Sequence, residues 1–553
     1  MDVSESLASE MTRLGLIDSV RLEYVRQRNR VVREPLWKTV VESGLASERD
    51  VTRALANVLK ADYLEPDEIP PSDPQVLGLF SKEFCLRNSF LPLAHDAGIL
   101  QVLAGSGDHE RIAEAVATRG AMRCRFALSE FSTVRRLIHH RYHFVQQPAE
   151  LLVRREVESL VADASGVRSP EQLLQYLLHQ AVRDRATDVH IAPAEGAYHI
   201  LFRIDGVLSP ITAIPRTLER LVSYVKLLAE MDISEQRRPQ DGSFRCVILD
   251  TDYTIRVSTI ATEAGERMVM RLLPEAHDLK GLRELGFFPE DVERIQTCLA
   301  NPSGLMLVTG PTGSGKSSTL HAGLRVQRLI ERNILTVEDP LEYRVAGAAQ
   351  TEVNRRAGYD FASALKHFLR HDPDVILVGE MRDAETAQAA LDAAATGHLV
   401  LSTLHITSVF GLMPRLVPLG VSPQIVAENL LLVVNQRLVR RNCPHCAAQR
   451  EWTAQERVLL GLQDVKPSDV QAVISHGCER CRHTGYVGRL PVYEILGVTD
   501  DLANAIAVSA SRARLNEIAL ADGFLPIRAC ARRRVLAGET TCAEMVRVLG
   551  EDV

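Results

Sequence analysis

Eight residues, Gly310-Pro311-Thr312-Gly313-Ser314-Gly315-Lys316-Ser317, stand between an apolar run, Leu305-Met306-Leu307-Val308, and a helix-like segment, Ser318 to Leu329. Few chains can place G-x-x-x-x-G-K-S in that strand, loop, helix order without forming a phosphate cradle. The glycines let the backbone curl until successive N–H groups point inward, and the helix N-terminus adds partial positive charge. Lys316 can then reach the outer phosphates of a nucleoside triphosphate and Ser317 can hold Mg2+, with Ser318 close behind. Such a loop needs a platform. Strand-like runs at Leu305 to Val308, Ile334 to Val337, Val375 to Val378 and Leu399 to Leu401 alternate with helical patterns, which indicates an α/β unit with a parallel sheet and helices on both faces.

The chain has 553 residues, 46% hydrophobic and 24% charged, enough for three or four domains. Its formal charge of -7 supplies no global basic field, so nucleic acid is not expected as a partner. No apolar run approaches the roughly 18 residues of a membrane span, and Met1-Asp2-Val3-Ser4-Glu5 lacks the features of a signal peptide. The expected location is cytoplasmic. Residues 1–145 read as short helices followed by a mixed region, broken at Pro66, Pro70, Pro71 and Pro74. Gly15-Leu16-Ile17 and Gly44-Leu45-Ala46, 29 residues apart, each precede a charged helical stretch, which reads either as two copies of a helical unit or as coincidence. Residues 150–273 form a second, α+β domain: helical periods give way to alternating runs such as Thr187-Asp188-Val189-His190-Ile191 and Tyr198 to Ile204. A linker is expected over 274–286 and the nucleotide unit over 287–553.

Two carboxylates end strand-like runs on the sheet edge that faces a ligand in such folds. Glu338, in Val337-Glu338-Asp339-Pro340, is placed to orient or deprotonate an attacking water, although a Glu-Asp-Pro turn by itself also reads as a solvated loop. Glu380 closes Asp374-Val375-Ile376-Leu377-Val378-Gly379, where Mg2+ or its water shell needs an anionic partner. A lone histidine such as His405, after Ser402-Thr403-Leu404, more often reads as a loop or core residue.

Taken in order, GPTGSGKS, VEDPLEY, LRHDPDVILVGEMRD and ATGHLVLSTLH closely resemble the ATPases that power type II secretion and type IV pilus assembly. The resemblance implies a RecA-like P-loop core, ATP hydrolysis, a cytoplasmic homo-hexamer and force transmitted to inner-membrane platform proteins. It extends upstream through Asp188-Val189-His190-Ile191, Phe202-Arg203-Ile204-Asp205-Gly206 and Arg238-Pro239-Gln240-Asp241-Gly242, which look like the family's second N-terminal domain. By resemblance, Glu338 is the catalytic glutamate, Glu380 supports the metal, and His405 lies near the terminal phosphate. Arg256 and Arg271 match arginines that the domain brings to the phosphates, and Arg370 joins them in stabilising charge. Two departures stand out: Lys366 replaces an expected arginine, and Ile406-Thr407-Ser408-Val409-Phe410 lacks the usual Thr-Asn pair. A DNA-translocating motor and a nucleotide-sensing scaffold with little turnover remain as alternatives.

Cys443-Pro444-His445-Cys446 and Cys478-Glu479-Arg480-Cys481 supply two C-x-x-C pairs, suited to one closed tetrahedral structural Zn2+ in a lobe over about 440–490. Assembly-type relatives often carry this tetracysteine insertion. The other six cysteines are scattered and read as small buried hydrophobes. Basic clusters at Arg437, Arg440 and Arg441 and at Arg532, Arg533 and Arg534 read most simply as solvated faces. Some relatives bind cyclic di-GMP through paired segments with an Arg-Leu-Gly start and a closing Gln. This chain has Pro35-Leu36-Trp37 and Val58 at those places, so cyclic di-GMP is not expected and residues 1–145 are expected to dock a partner.

Overall fold

A computed structural model describes residues 3–550 apart from Arg33, Asp67, 119–121, 147–148, 164–167, 275–279, 328–330 and 465–470. It divides into two compact units, Met1–Asp278 and Leu279–Val553. Of the segment expected as a linker, 275–279 lie outside the described residues, and Leu282 is buried in the core of the second unit.

In the first unit, helices Val3–Arg13 and Ser19–Val32 are joined by one turn and Leu36–Glu42 and Glu48–Leu59 by another; Val3–Arg13 packs mainly on Glu48–Leu59, and Ser19–Val32 on Leu36–Glu42. Gly15 and Gly44 take equivalent places in the two turns, each with φ near +70° (69° and 67°), a conformation that only glycine reaches without strain. The sequence repeat is therefore a repeated order of helix, glycine turn and helix. Ser47 caps the last of these helices by accepting from the Asp50 N–H, and Val51, Ala54 and Leu55 give it a buried face. The mixed region that follows contains a four-stranded sheet in the order Asp62–Tyr63, Arg123–Leu128, Ile99–Ala104, Phe90–Asp96.

Farther along the same unit comes a six-stranded antiparallel sheet, ordered Val207–Pro215, Ala197–Ile204, Ala186–Ala194, Gly265–Pro274, Thr251–Thr262, Gln240–Ile248. Alternation decides its faces. Val189, Ile191, Ile200, Phe202, Ile255, Val257, Met268 and Met270 are buried in one cluster with Leu174, Leu177, Val222 and Val225 of helices Glu171–Arg183 and Arg220–Leu228. Asp188, Arg203, Arg256 and Arg271 consequently share the other face.

The second unit is built on seven strands: β1 (Gly304–Thr309), β2 (Ile334–Glu338), β3 (Ala349–Glu352), β4 (Val375–Val378), β5 (Leu399–Leu404), β6 (Leu430–Asn442) and β7 (Tyr486–Gly497). Their order is β3-β2-β4-β5-β1-β6-β7, parallel throughout except for β7. The apolar runs are continuous because both faces are covered. Met306, Val308, Ile334, Val375 and Leu377 pack into one core, while Leu305, Leu307, Val337, Ile376 and Val378 pack into another on the opposite face. No described helix is long and apolar enough to cross a membrane.

Candidate nucleotide and metal sites

At the end of β1 the chain turns through Gly310, Gly313 and Gly315, with φ of 141°, 76° and 88°. A Cβ on Gly310 would lie 2.4 Å from the Gln436 carbonyl oxygen, so the loop can run against β6 only with glycine there. Helix Lys316–Val326 begins directly after Gly315. The Lys316 ammonium donates to the carbonyls of Gly310 (3.0 Å) and Pro311 (3.1 Å), and burial lowers its pKa. Thr312, Gly313, Lys316 and Ser317 line a cleft whose opposite wall includes Glu338, Glu380, Arg382 and His405. Ser314 turns inward and its carbonyl is tied to β6, while the Ser318 hydroxyl meets the Tyr343 hydroxyl at 3.0 Å.

Glu338 ends β2 and is only 4% exposed, so the solvated-loop reading of this turn is corrected. Its Oε1 accepts from Thr336 Oγ1 (2.8 Å) and Gln350 Nε2 (3.2 Å), and its Oε2 lies 3.0 Å from His321 Nε2. Burial opposes charge on His321, but the contact with Glu338 outweighs it and the pKa is raised. Glu380, just beyond β4, pairs with Arg382 and lies 3.5 Å from His405 Nε2. Burial, followed by the charge of Lys316, lowers the pKa of His405, which places this histidine electrostatically within the site. The cleft thus gathers a cation for phosphate, a hydroxyl and a carboxylate suited to Mg2+, and a second carboxylate suited to water.

The four cysteines of the two C-x-x-C pairs also converge. All four Sγ atoms lie within 4.8 Å of one another, with 3.9 Å between Cys443 and Cys478 and 3.8 Å between Cys446 and Cys481. A tetrahedral Zn2+ with Zn–S of about 2.3 Å separates its sulfurs by about 3.8 Å, whereas a disulfide requires about 2.05 Å. These spacings fit the metal. Backbone N–H groups of Gly477, Cys478 and Gly485 point at the sulfurs of Cys446 and Cys481 at 3.0 to 3.3 Å, a pattern that favours thiolates. His445 is turned to Arg480, which leaves the four sulfurs as the donor set.

Residues 163–547 match the family described as Type II/IV secretion system protein, and residues 59–147 match the MshEN domain. The chain belongs to the Type II/IV secretion system protein family. It is 36% identical over 531 residues to the type IV pilus assembly ATPase PilB of Thermus thermophilus, covering 92% of this chain and 58% of that protein. To the type II secretion system protein E of Aeromonas hydrophila it is 42% identical over 382 residues, 69% of this chain and 76% of the relative. The fold is also that of the Legionella pneumophila ATPase DotB, with a TM-score of 0.51 at 22% identity over 68% of this chain and 95% of that one. As a member of this family the chain is an ATPase.

Not every residue expected to serve the nucleotide lines the family's cleft in this chain. Arg370 is exposed beyond helix Phe361–Phe368, with its guanidinium 3.5 Å from His367 Nδ1, and Lys366 pairs with Glu385 at the surface. Arg256 and Arg271 belong to the first unit, where they face each other across paired strands. Asp188 holds Arg271 at 2.8 Å and Arg203 at 3.8 Å, giving a cationic row anchored by one buried carboxylate.

Other cations depart from the solvated-face expectation. Arg440 is bound by the buried Glu544 at 2.8 Å and covers the Tyr486 ring, Arg437 is held by Asn435, Gln436 and Thr407, and Arg534 is 3% exposed and pairs with Glu539. Sequence reasoning also missed Gln436, 1% exposed, which donates to the Ser314 carbonyl (2.7 Å) and accepts from Thr319 Oγ1 (3.0 Å). It fastens the later part of the phosphate loop, and the helix that follows, to β6. Its signal was the polar trio Asn435-Gln436-Arg437 between the apolar residues Leu430 to Val434 and Leu438-Val439 of β6.

Proposed function

We propose that this chain, as a cytoplasmic ring of identical subunits at the inner membrane, hydrolyses ATP and passes the resulting movement to platform proteins that assemble a pilus or pseudopilus. The observation that carries this reading is the convergence of Lys316, Ser317, Glu338, Glu380 and His405 on one cleft. Lys316 leaves its loop carbonyls for the outer phosphates and Glu338 takes a proton from the attacking water. Bound Mg2+ would be held by Ser317 and supported by Glu380, and would offset phosphate charge. Arg370, being exposed and outside its own cleft, serves the nucleotide of the adjoining subunit, and Arg256 and Arg271 stabilise charge in transfer. Zn2+ held by Cys443, Cys446, Cys478 and Cys481 closes the 440–490 lobe and takes no part in the chemical step. A formal charge of -7 disfavours the DNA-translocating alternative.

The test is genetic. In the cell that carries this chain, its removal is expected to abolish piliation or type II export, with the wild type restoring it and Glu338→Gln failing to do so. Normal piliation and export without the chain contradict the proposal.

Residues 1–145 are proposed to dock the platform and not to bind cyclic di-GMP. The MshEN match begins at residue 59, the last residue of helix Glu48–Leu59, and so leaves out Pro35-Leu36-Trp37 and Val58. Leu36 is 7% exposed and the Trp37 ring packs against Phe131 at a centroid distance of 5.4 Å, so two of the three residues at the place of the Arg-Leu-Gly start serve packing, and the exposed Pro35 offers no guanidinium. Calorimetric titration of the full chain with cyclic di-GMP is expected to give no heat of binding; micromolar or tighter affinity would overturn this assignment.

A further inference from the structure

His321 sits one turn after Ser317 on the helix that follows the phosphate loop, and it lines the cleft although only 2% of it is exposed. Its Nδ1 lies 2.7 Å from the Ser317 carbonyl oxygen; a carbonyl only accepts, so Nδ1 carries a hydrogen and donates. On the other side of the ring, Nε2 lies 3.0 Å from Glu338 Oε2. The ring centroid is 5.1 Å from that of Tyr343, whose hydroxyl meets Ser318 at 3.0 Å, so the imidazole is clasped from the same helix. Glu338 Oε1 is occupied by Thr336 and Gln350, whereas among the described residues Oε2 has only the His321 ring nitrogen beside it, at ion-pair distance. Each carboxylate oxygen has two lone pairs, so Oε2 keeps one for a water.

We infer that His321 is a positioning residue, a strut that aims Glu338 Oε2 at the attacking water and ties that aim to the phosphate loop. The inference rests on the role proposed for Glu338. A shift of Ser317 on nucleotide binding moves the strut and hence the carboxylate, so base and cradle align together. Misplacing the base lowers the chemical step and leaves ground-state nucleotide binding intact.

Three full-length variants separate the two contacts. Asparagine places its amide near Nδ1, glutamine places its amide near Nε2, and phenylalanine keeps the ring without either donor. His321→Asn and His321→Phe are expected to lower kcat by about tenfold or more, the order for losing a buried contact with a charged group, with KM for ATP changed less than about threefold. His321→Gln is expected to stay within about threefold of the wild-type kcat. Wild-type kcat in His321→Asn, equal losses in His321→Gln and His321→Phe, or an effect confined to KM would overturn the inference. Thermal unfolding of each variant identifies a folding defect; if His321→Phe fails to fold, the comparison of Asn with Gln decides. Glu338→Gln is assayed alongside. Retained turnover there removes the role of Glu338 itself, whereas lost turnover there with wild-type kcat in His321→Asn removes the strut alone.

Discussion

Lys316→Ala is expected to abolish ATP turnover, because the substitution removes the one loop cation whose flexible stem can leave the Gly310 and Pro311 carbonyls for the outer phosphates. In Glu338→Gln the side chain keeps its length, and the phosphate cradle is untouched. ATP binding should therefore persist while turnover falls by about 10²- to 10⁴-fold, the range for losing a general base. A fluorescent ATP analogue reads the first effect and phosphate release the second. Equal loss of nucleotide affinity in both variants would remove the role assigned to Glu338.

The metal site carries the second large effect. One Zn2+ per chain is expected by elemental analysis of protein purified without added metal, together with the loss of free-thiol reactivity at Cys443, Cys446, Cys478 and Cys481. Cys443→Ser should destabilise the 440–490 lobe, since Cys443 is buried and the sulfurs join segments 31 residues apart. Phosphate release per folded chain should change little, because the cluster shares no residue with the lining of the nucleotide cleft. Protein with no zinc and four titratable thiols at these positions would refute the assignment.

What the sequence made legible was local. The phosphate loop, the carboxylates closing β2 and β4 and the two C-x-x-C pairs are short patterns whose chemistry depends on neighbours in the chain, and the structure gathers each set as its spacing implied. The apolar runs of β1, β2, β4 and β5 were readable for the same reason: a strand buried on both faces has no polar positions to disguise it. Pairings set by the fold were not legible. Gln436 lies 117 residues from Thr319 and Glu544 lies 104 from Arg440, so no window of sequence shows that one fastens the phosphate loop and the other turns a surface cation into a buried pair. His321 was missed because one histidine on a helix is ordinary until β2 brings Glu338 to 3.0 Å from it. Arg370 was placed by motif alone, and its exposure beyond the cleft could come only from the helix that carries it.

Steady-state phosphate release by the purified full-length chain, with Mg2+ and ATP, tests the central claim most directly. The account predicts turnover that is abolished by chelating Mg2+, lowered by about 10²-fold or more in Glu338→Gln and not stimulated by duplex DNA. Release no faster than background from folded, nucleotide-binding wild-type protein, or the same rate in wild type and Glu338→Gln, would contradict it.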